Sequence, residues 1–110
     1  IYRSVHATRE SNPDFIIVRH EDLSRDPISG YRQLYQSLAL EFTPRVEKFI
    51  LNSSSSENPK ELSHKKVHGF KLDSRANIDN WKQRMTAEEI NRVREITKES
   101  APLYYYDAEW

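Results

Sequence analysis

The sequence contains no cysteine, so disulfides and thiolate metal sites are excluded. It holds two glycines, Gly30 and Gly69, too few and too far apart for a glycine-rich phosphate loop. No apolar run approaches the ~20 residues of a membrane-spanning helix. No signal-peptide pattern is present, and the chain opens on Ile1 instead of methionine, which places the expected start upstream. Charge of one sign is also missing: 17 basic and 17 acidic residues cancel. There is no global field to recruit nucleic acid or an anionic membrane, and neither is an expected partner.

What is present is organised around residues 14–27. Phe15, Ile16, Ile17 and Val18 form the one uninterrupted apolar run of strand composition, with β-branched and aromatic residues on both parities. That pattern predicts a strand over residues 15–19, buried on both faces as in a parallel sheet between helices. Pro13 precedes it, and the charged Arg19, His20, Glu21 and Asp22 follow as a polar loop. Asp26 and Pro27 then supply a cap and a proline at the first helical position. A strand–loop–helix unit places His20 at the strand's carboxyl end, where ligands collect in open α/β sheets. One doubly buried strand needs sheet partners, so the chain reads as part of something larger.

Most of the remainder is helical in pattern. Tyr2, Val5 and Arg9 share helical spacing over residues 1–9. Ile28, Tyr31, Leu34, Tyr35 and Leu38 predict an amphipathic helix over 27–39. Thr43 and Pro44 open another over 44–52, with Val46, Phe49 and Ile50 on one face. Ile78, Trp81 and Met85 mark a short helix near 77–85, opened by Asp73 or Ser74. Thr86 and Glu89 form a capping box for a helix over 87–100, ended by Pro102. The tail 103–110 is aromatic enough to fold back on the body.

Residues 52–72 differ in character, rich in serine, asparagine and lysine. From Lys60 to Arg84 seven lysines and arginines oppose three acids, a local excess of +4 inside a neutral chain. Two readings stay open there, a solvated loop and an anion-binding lid. His64 and His68 stand four apart beside Gly69, a poor helix former, so a metal site is not expected. The Glu21–Asp22 pair reads as local hydrogen bonding at a helix start.

Residues 18–27, continued by Tyr31, Arg32, Leu34 and residues 38–40, resemble the Val-Arg-Tyr-Glu-Asp-Leu segment and following helix of sulfotransferases. Residues 73–82 and the helix from Thr86 are similar to the arginine-to-Trp-Lys region near the C-terminus of that family. The style is that of bacterial and carbohydrate sulfotransferases. The resemblance implies an α/β fold: the C-terminal portion of a P-loop-type parallel-sheet domain, spanning all 110 residues, mostly α-helical with one clear strand. It implies an enzyme moving a sulfuryl group from 3′-phosphoadenosine 5′-phosphosulfate (PAPS) to a hydroxyl or amine acceptor, without a metal. The acceptor attacks in line while cations stabilise the charge developing on the leaving phosphate.

Residue by residue, Arg75 matches the arginine that grips the cofactor's 3′-phosphate, a contact suited to a guanidinium fork. Ser74 beside it adds a hydroxyl. Ala76 stands where the family has a glycine, and the lysine between is absent. His20 stands where a tyrosine touches the adenine, Ser53 matches a hydroxyl residue near that base, and Trp81 matches a packing tryptophan. Ser55 falls where an aromatic stacks in some members. The phosphosulfate loop and catalytic base have no counterpart here. No catalytic residue is therefore expected in this segment, which should be inactive alone and need the N-terminal part of the same enzyme as its partner. The expected compartment is the cytoplasm, with the Golgi lumen as alternative. The competing reading is a non-enzymatic helical module that docks an acidic partner or RNA through the Lys60–Arg84 patch; only Phe70 and Trp81 interleave as stacking aromatics.

Overall fold

The computed structural model describes residues 2–61 and 71–110. Among the described residues seven α-helices follow in order: α1 Tyr2–Ser11, α2 His20–Arg25, α3 Pro27–Ser37, α4 Pro44–Ser54, α5 Ser74–Asn77, α6 Asn80–Arg84 and α7 Ala87–Thr97. Two 3₁₀ turns, Ala101–Leu103 and Asp107–Glu109, close the chain.

The expected strand does not form. Residues 15–19 carry no regular secondary structure, and no strand or sheet occurs among the described residues. The physical reason is pairing: a strand is held by a ladder of inter-strand hydrogen bonds, and a single β-prone run supplies only one side of it. Nor is the run buried on both faces, since Phe15, Ile16 and Val18 are 40–48% exposed. The α/β assignment is corrected to an all-helical arrangement for the described residues.

The expected polar loop is corrected too. His20–Arg25 is a helix, with Glu21 and Asp22 in its first turn, where carboxylates oppose the exposed N–H groups. The Asp22 carboxylate accepts from Arg25 at 3.4 Å across that helix.

The capping expectations agree with the structure. Asp26 accepts from the Ser29 N–H at 3.2 Å and Thr43 from the Val46 N–H at 3.3 Å, each ahead of a proline at the helix start. Asp73 caps α5, and Thr86 with Glu89 forms the complete capping box of α7. The helix expected near 77–85 is instead two short pieces, α5 and α6, separated by a turn at Ile78 and Asp79. The last helix stops at Thr97, short of the expected 100.

The chain divides into two compact units, residues 20–80 and residues 1–19 with 81–110. In the first, α2 and α3 pack so closely that a Cβ on Gly30 would meet the Leu23 Cδ2 at 3.0 Å and its Cα at 3.3 Å. Among the described residues of this unit, Ile50 on α4 is the buried apolar one, at 6% exposure. Tyr35 and Phe42 meet edge to face at 5.4 Å, with Arg32 over Phe42 at 4.7 Å. After α3 the backbone passes through a left-handed Ala39, φ 53°, and Leu40 donates back to the Tyr35 carbonyl at 2.8 Å.

In the second unit the aromatic tail does fold back. Trp110 meets Trp81 edge-on at 6.0 Å, Arg19 lies over Tyr105 at 4.7 Å, and Tyr104 meets His6 at 6.5 Å. Arg19 pairs with Glu109, both side chains largely shielded, while Arg94 pairs with Asp107 and Arg3 with Glu99 at the surface. Trp81 is therefore a packing residue, as the sequence led one to expect. No helix among the described residues is long and apolar enough to cross a membrane.

Candidate functional site

Two adjoining cavities lie in the unit of residues 20–80, and α2, α3, α4 and the start of α5 furnish their walls. The local sequence explains how they meet. The α4 helix ends in a run of serines whose hydroxyls turn back on the helix: Ser53 donates to the Phe49 and Ile50 carbonyls at 2.8 and 3.1 Å, and Ser54 to the Ile50 carbonyl at 2.7 Å. Hydroxyls that satisfy C-terminal carbonyls in this way compete with the helix and help end it.

Two backbone hydrogen bonds then draw the distant segment 72–73 to that helix end. The Leu72 N–H donates to the Ser53 carbonyl at 3.0 Å, and the Asp73 N–H to the Pro59 carbonyl at 3.0 Å. The side chain of Asn80, 9% exposed, ties the same region together by donating to the Lys60 carbonyl at 3.0 Å and to Asn77 at 2.8 Å. Asp73 accepts from the Ala76 N–H at 3.0 Å and so opens α5, whose first two residues are Ser74 and Arg75.

The outcome for the expected site residues is specific. His20, Ser53 and Ser74 line one cavity of about 430 Å³, together with Tyr31, Tyr35 and Phe49. Arg75 lines the second cavity, about 680 Å³, with Arg25, Lys71, Asp26, Glu57 and Asp73. Ser24, Pro27 and Ser54 contribute to both, which makes the two cavities neighbours. Ser55 also lines the second cavity.

The first cavity is lined by aromatic and hydroxyl side chains. The second holds three cations against three carboxylates, and two of those carboxylates, Asp26 and Asp73, are already engaged as helix caps. Arg75 is exposed and lines this cavity.

The sequence left several lining residues unremarked. Ser24, 4% exposed, places its hydroxyl 3.3 Å from Nε2 of His20. Its signal was the four-residue spacing from His20, which acquires meaning only once residues 20–25 are helical. Tyr31, Tyr35 and Phe49 carried the three-and-four pattern of a core face, yet they also form a cavity wall.

Much of the basic stretch, including Lys65, Lys66, His64, His68 and Phe70, lies outside the described residues, so the lid and docking expectations fall largely there. Among the described residues no cluster of three metal-ligating side chains occurs.

Comparison with known proteins gives a consistent result. The sequence model of the sulfotransferase domain matches residues 2–104. Carbohydrate sulfotransferase 5 of Mus musculus is 29% identical over 112 aligned residues, covering 94% of this chain and 27% of the relative. Carbohydrate sulfotransferase 6 of Homo sapiens is 31% identical over 93, covering 82% and 22%. Carbohydrate sulfotransferase 1 of Danio rerio is 27% identical over 82, covering 74% and 19%. The chain thus spans about a fifth to a quarter of the length of these relatives. No solved structure matches it significantly. With the domain match running over nearly its whole length, the chain belongs to the sulfotransferase domain family.

Proposed function

We propose that this segment forms the 3′-phosphate and adenine side of the PAPS site in an enzyme that transfers a sulfuryl group to a carbohydrate hydroxyl or amine. The observation that carries the reading is the convergence of His20, Ser53 and Ser74, remote in sequence, on one cavity wall with Arg75 in the cavity beside it. In this reading Arg75 grips the 3′-phosphate with its guanidinium fork, assisted by the Ser74 hydroxyl. His20 and Ser53 face the adenine. Trp81 packs and touches no ligand.

The lining suits such a nucleotide. A cavity of about 430 Å³ falls in the range of about 300–1,000 Å³ typical of small-molecule sites. Tyr31, Tyr35 and Phe49 give it aromatic walls that offset the stacking aromatic replaced at Ser55. Lys71, in the same cavity as Arg75, adds the positive charge that the family carries on a lysine next to the arginine.

PAPS would supply the activated sulfuryl group. The residues of this segment bind and orient the nucleotide, and the reacting groups belong to the N-terminal portion of the same domain, which carries the phosphosulfate loop and the base. A carbohydrate acceptor follows from the names of the relatives, and it favours the Golgi lumen over the cytoplasm, since glycans are elaborated there. The test is transfer of labelled sulfuryl from PAPS by the full-length protein to a panel of glycan, phenol and steroid acceptors. Transfer to glycans alone is the expected result, and transfer confined to phenols or steroids overturns the acceptor class.

A further inference from the structure

The pairing of Ser24 with His20 bears on how the base is chosen. Ser24 is 96% shielded, and a buried hydroxyl needs an acceptor for its proton. Among the described residues the partner of that hydroxyl is Nε2 of His20, 3.3 Å away. A serine in a helix often donates to the carbonyl four residues back; here it meets the imidazole of that same residue instead. If Ser24 donates, Nε2 is the unprotonated nitrogen and the proton of the neutral ring sits on Nδ1. The opposite arrangement, Nε2–H donating to Ser24, would strand the serine proton in a shielded position.

Ser53 supplies the complementary half. Its hydroxyl proton is spent on the Phe49 and Ile50 carbonyls, so toward the shared cavity Ser53 can only accept. Beside Tyr31, Tyr35, Arg45 and Ser74, which line the same cavity, His20 in this tautomer brings a donor, Nδ1–H, and Ser53 an acceptor, Oγ. Adenine presents the matching pair on one edge, a ring-nitrogen acceptor beside the donating 6-amino group. A 6-oxo purine presents an acceptor where the amino group stood, and meets Ser53 with its lone pairs opposed.

We infer that Ser24 is a positioning residue that holds His20 as the Nδ1–H tautomer, so that His20 and Ser53 together select a 6-aminopurine over a 6-oxopurine. The inference rests on the nucleotide-site reading above. It assigns no contact between Ser24 and the ligand.

The experiment combines heteronuclear NMR of the imidazole nitrogens with nucleotide titrations, using the full-length protein and adenosine and inosine 3′,5′-bisphosphates as probes. His20 should show the Nδ1–H tautomer without ligand, and Ser24→Ala should shift it toward Nε2–H. Ser24→Ala should weaken the adenosine nucleotide about fivefold, the worth of one ordinary neutral hydrogen bond, and narrow the preference over inosine. In a His20→Ala background the same Ser24 substitution should change nothing, an outcome that a purely structural serine would not give.

An Nε2–H tautomer in the unsubstituted protein overturns the inference whatever the variants do. So does adenosine binding that His20→Ala weakens and Ser24→Ala leaves intact; the site reading then survives. Failure of the unsubstituted protein to bind either nucleotide overturns the site reading and this inference with it.

Discussion

The Asp73 carboxylate accepts the Ala76 N–H at 3.0 Å and thereby brackets Ser74 and Arg75, the two residues between them. A four-residue helix has little stability of its own, because nucleation fixes several residues for few hydrogen bonds. The cap therefore determines how firmly Arg75 is presented. It also puts a carboxylate on the same cavity as the guanidinium it orients. Asp73→Ala removes the cap, at a cost of about 1 kcal/mol to the local helix, and should weaken adenosine 3′,5′-bisphosphate. Asp73→Asn keeps a capping oxygen and removes the charge, so it should bind that nucleotide at least as tightly as the parent. Calorimetric titration of the two variants checks this; equal weakening in both would show that the charge, not the cap, is what matters.

Glu89 gives a pH prediction of definite sign. Its carboxylate accepts from the Thr86 backbone N–H at 2.8 Å and from the Thr86 hydroxyl at 2.9 Å. The backbone hydrogen bond first, and the hydroxyl second, hold Glu89 below the usual carboxylate range. A group with a depressed folded-state pKa stabilises above the unfolded value of about 4.3. That contribution is lost as the pH falls through the lower folded value. NMR titration of the Glu89 carboxyl should show the depressed midpoint, and Thr86→Ala, which removes the hydroxyl and keeps the backbone N–H, should raise it only part of the way. Glu89→Gln should flatten this part of the acid limb of stability.

Ile50 and Ile96 looked equivalent in sequence, each on the apolar face of a helix. Ile50 is 6% exposed and Ile96 73%. Ile50→Ala should cost about 2 kcal/mol, the low end for a buried isoleucine because the surrounding core is small. Ile96→Ala should stay within about 0.5 kcal/mol. Urea unfolding of both variants provides the comparison, and similar losses would place Ile96 in a packed environment.

Ala39 predicts a gain. Its φ of 53° lies in the left-handed region, which costs a residue with a Cβ about 1 kcal/mol or more. Ala39→Gly relieves that strain and loses part of the benefit to the freer unfolded chain. A small rise in Tm is the expected net result, and a fall would contradict it.

How far the sequence could be read follows from the range of each interaction. Caps are local, so Asp26, Thr43, Asp73 and the Thr86–Glu89 box were visible as residue types at fixed offsets. The strand at 15–19 was not decidable locally, because β-branched composition states a preference and only a paired neighbour realises it. The helix at 20–25 was hidden by its charge: His20, Glu21, Asp22 and Arg25 look like a loop until Ser24 turns inward. The site residues were named from motif resemblance, but their meeting was not legible. It depends on Leu72 and Asp73 bonding back to Ser53 and Pro59, backbone links that no side-chain pattern announces.

The central claim is that Arg75 holds the 3′-phosphate of the nucleotide, and one titration tests it most directly. The full-length protein and its Arg75→Ala variant are each titrated with adenosine 3′,5′-bisphosphate and with adenosine 5′-monophosphate, which lacks the 3′-phosphate. Losing a charged hydrogen bond should cost the bisphosphate about 2 kcal/mol, roughly 30-fold in affinity, and leave the monophosphate nearly unchanged. Equal weakening of both nucleotides would make Arg75 a structural residue and contradict the account.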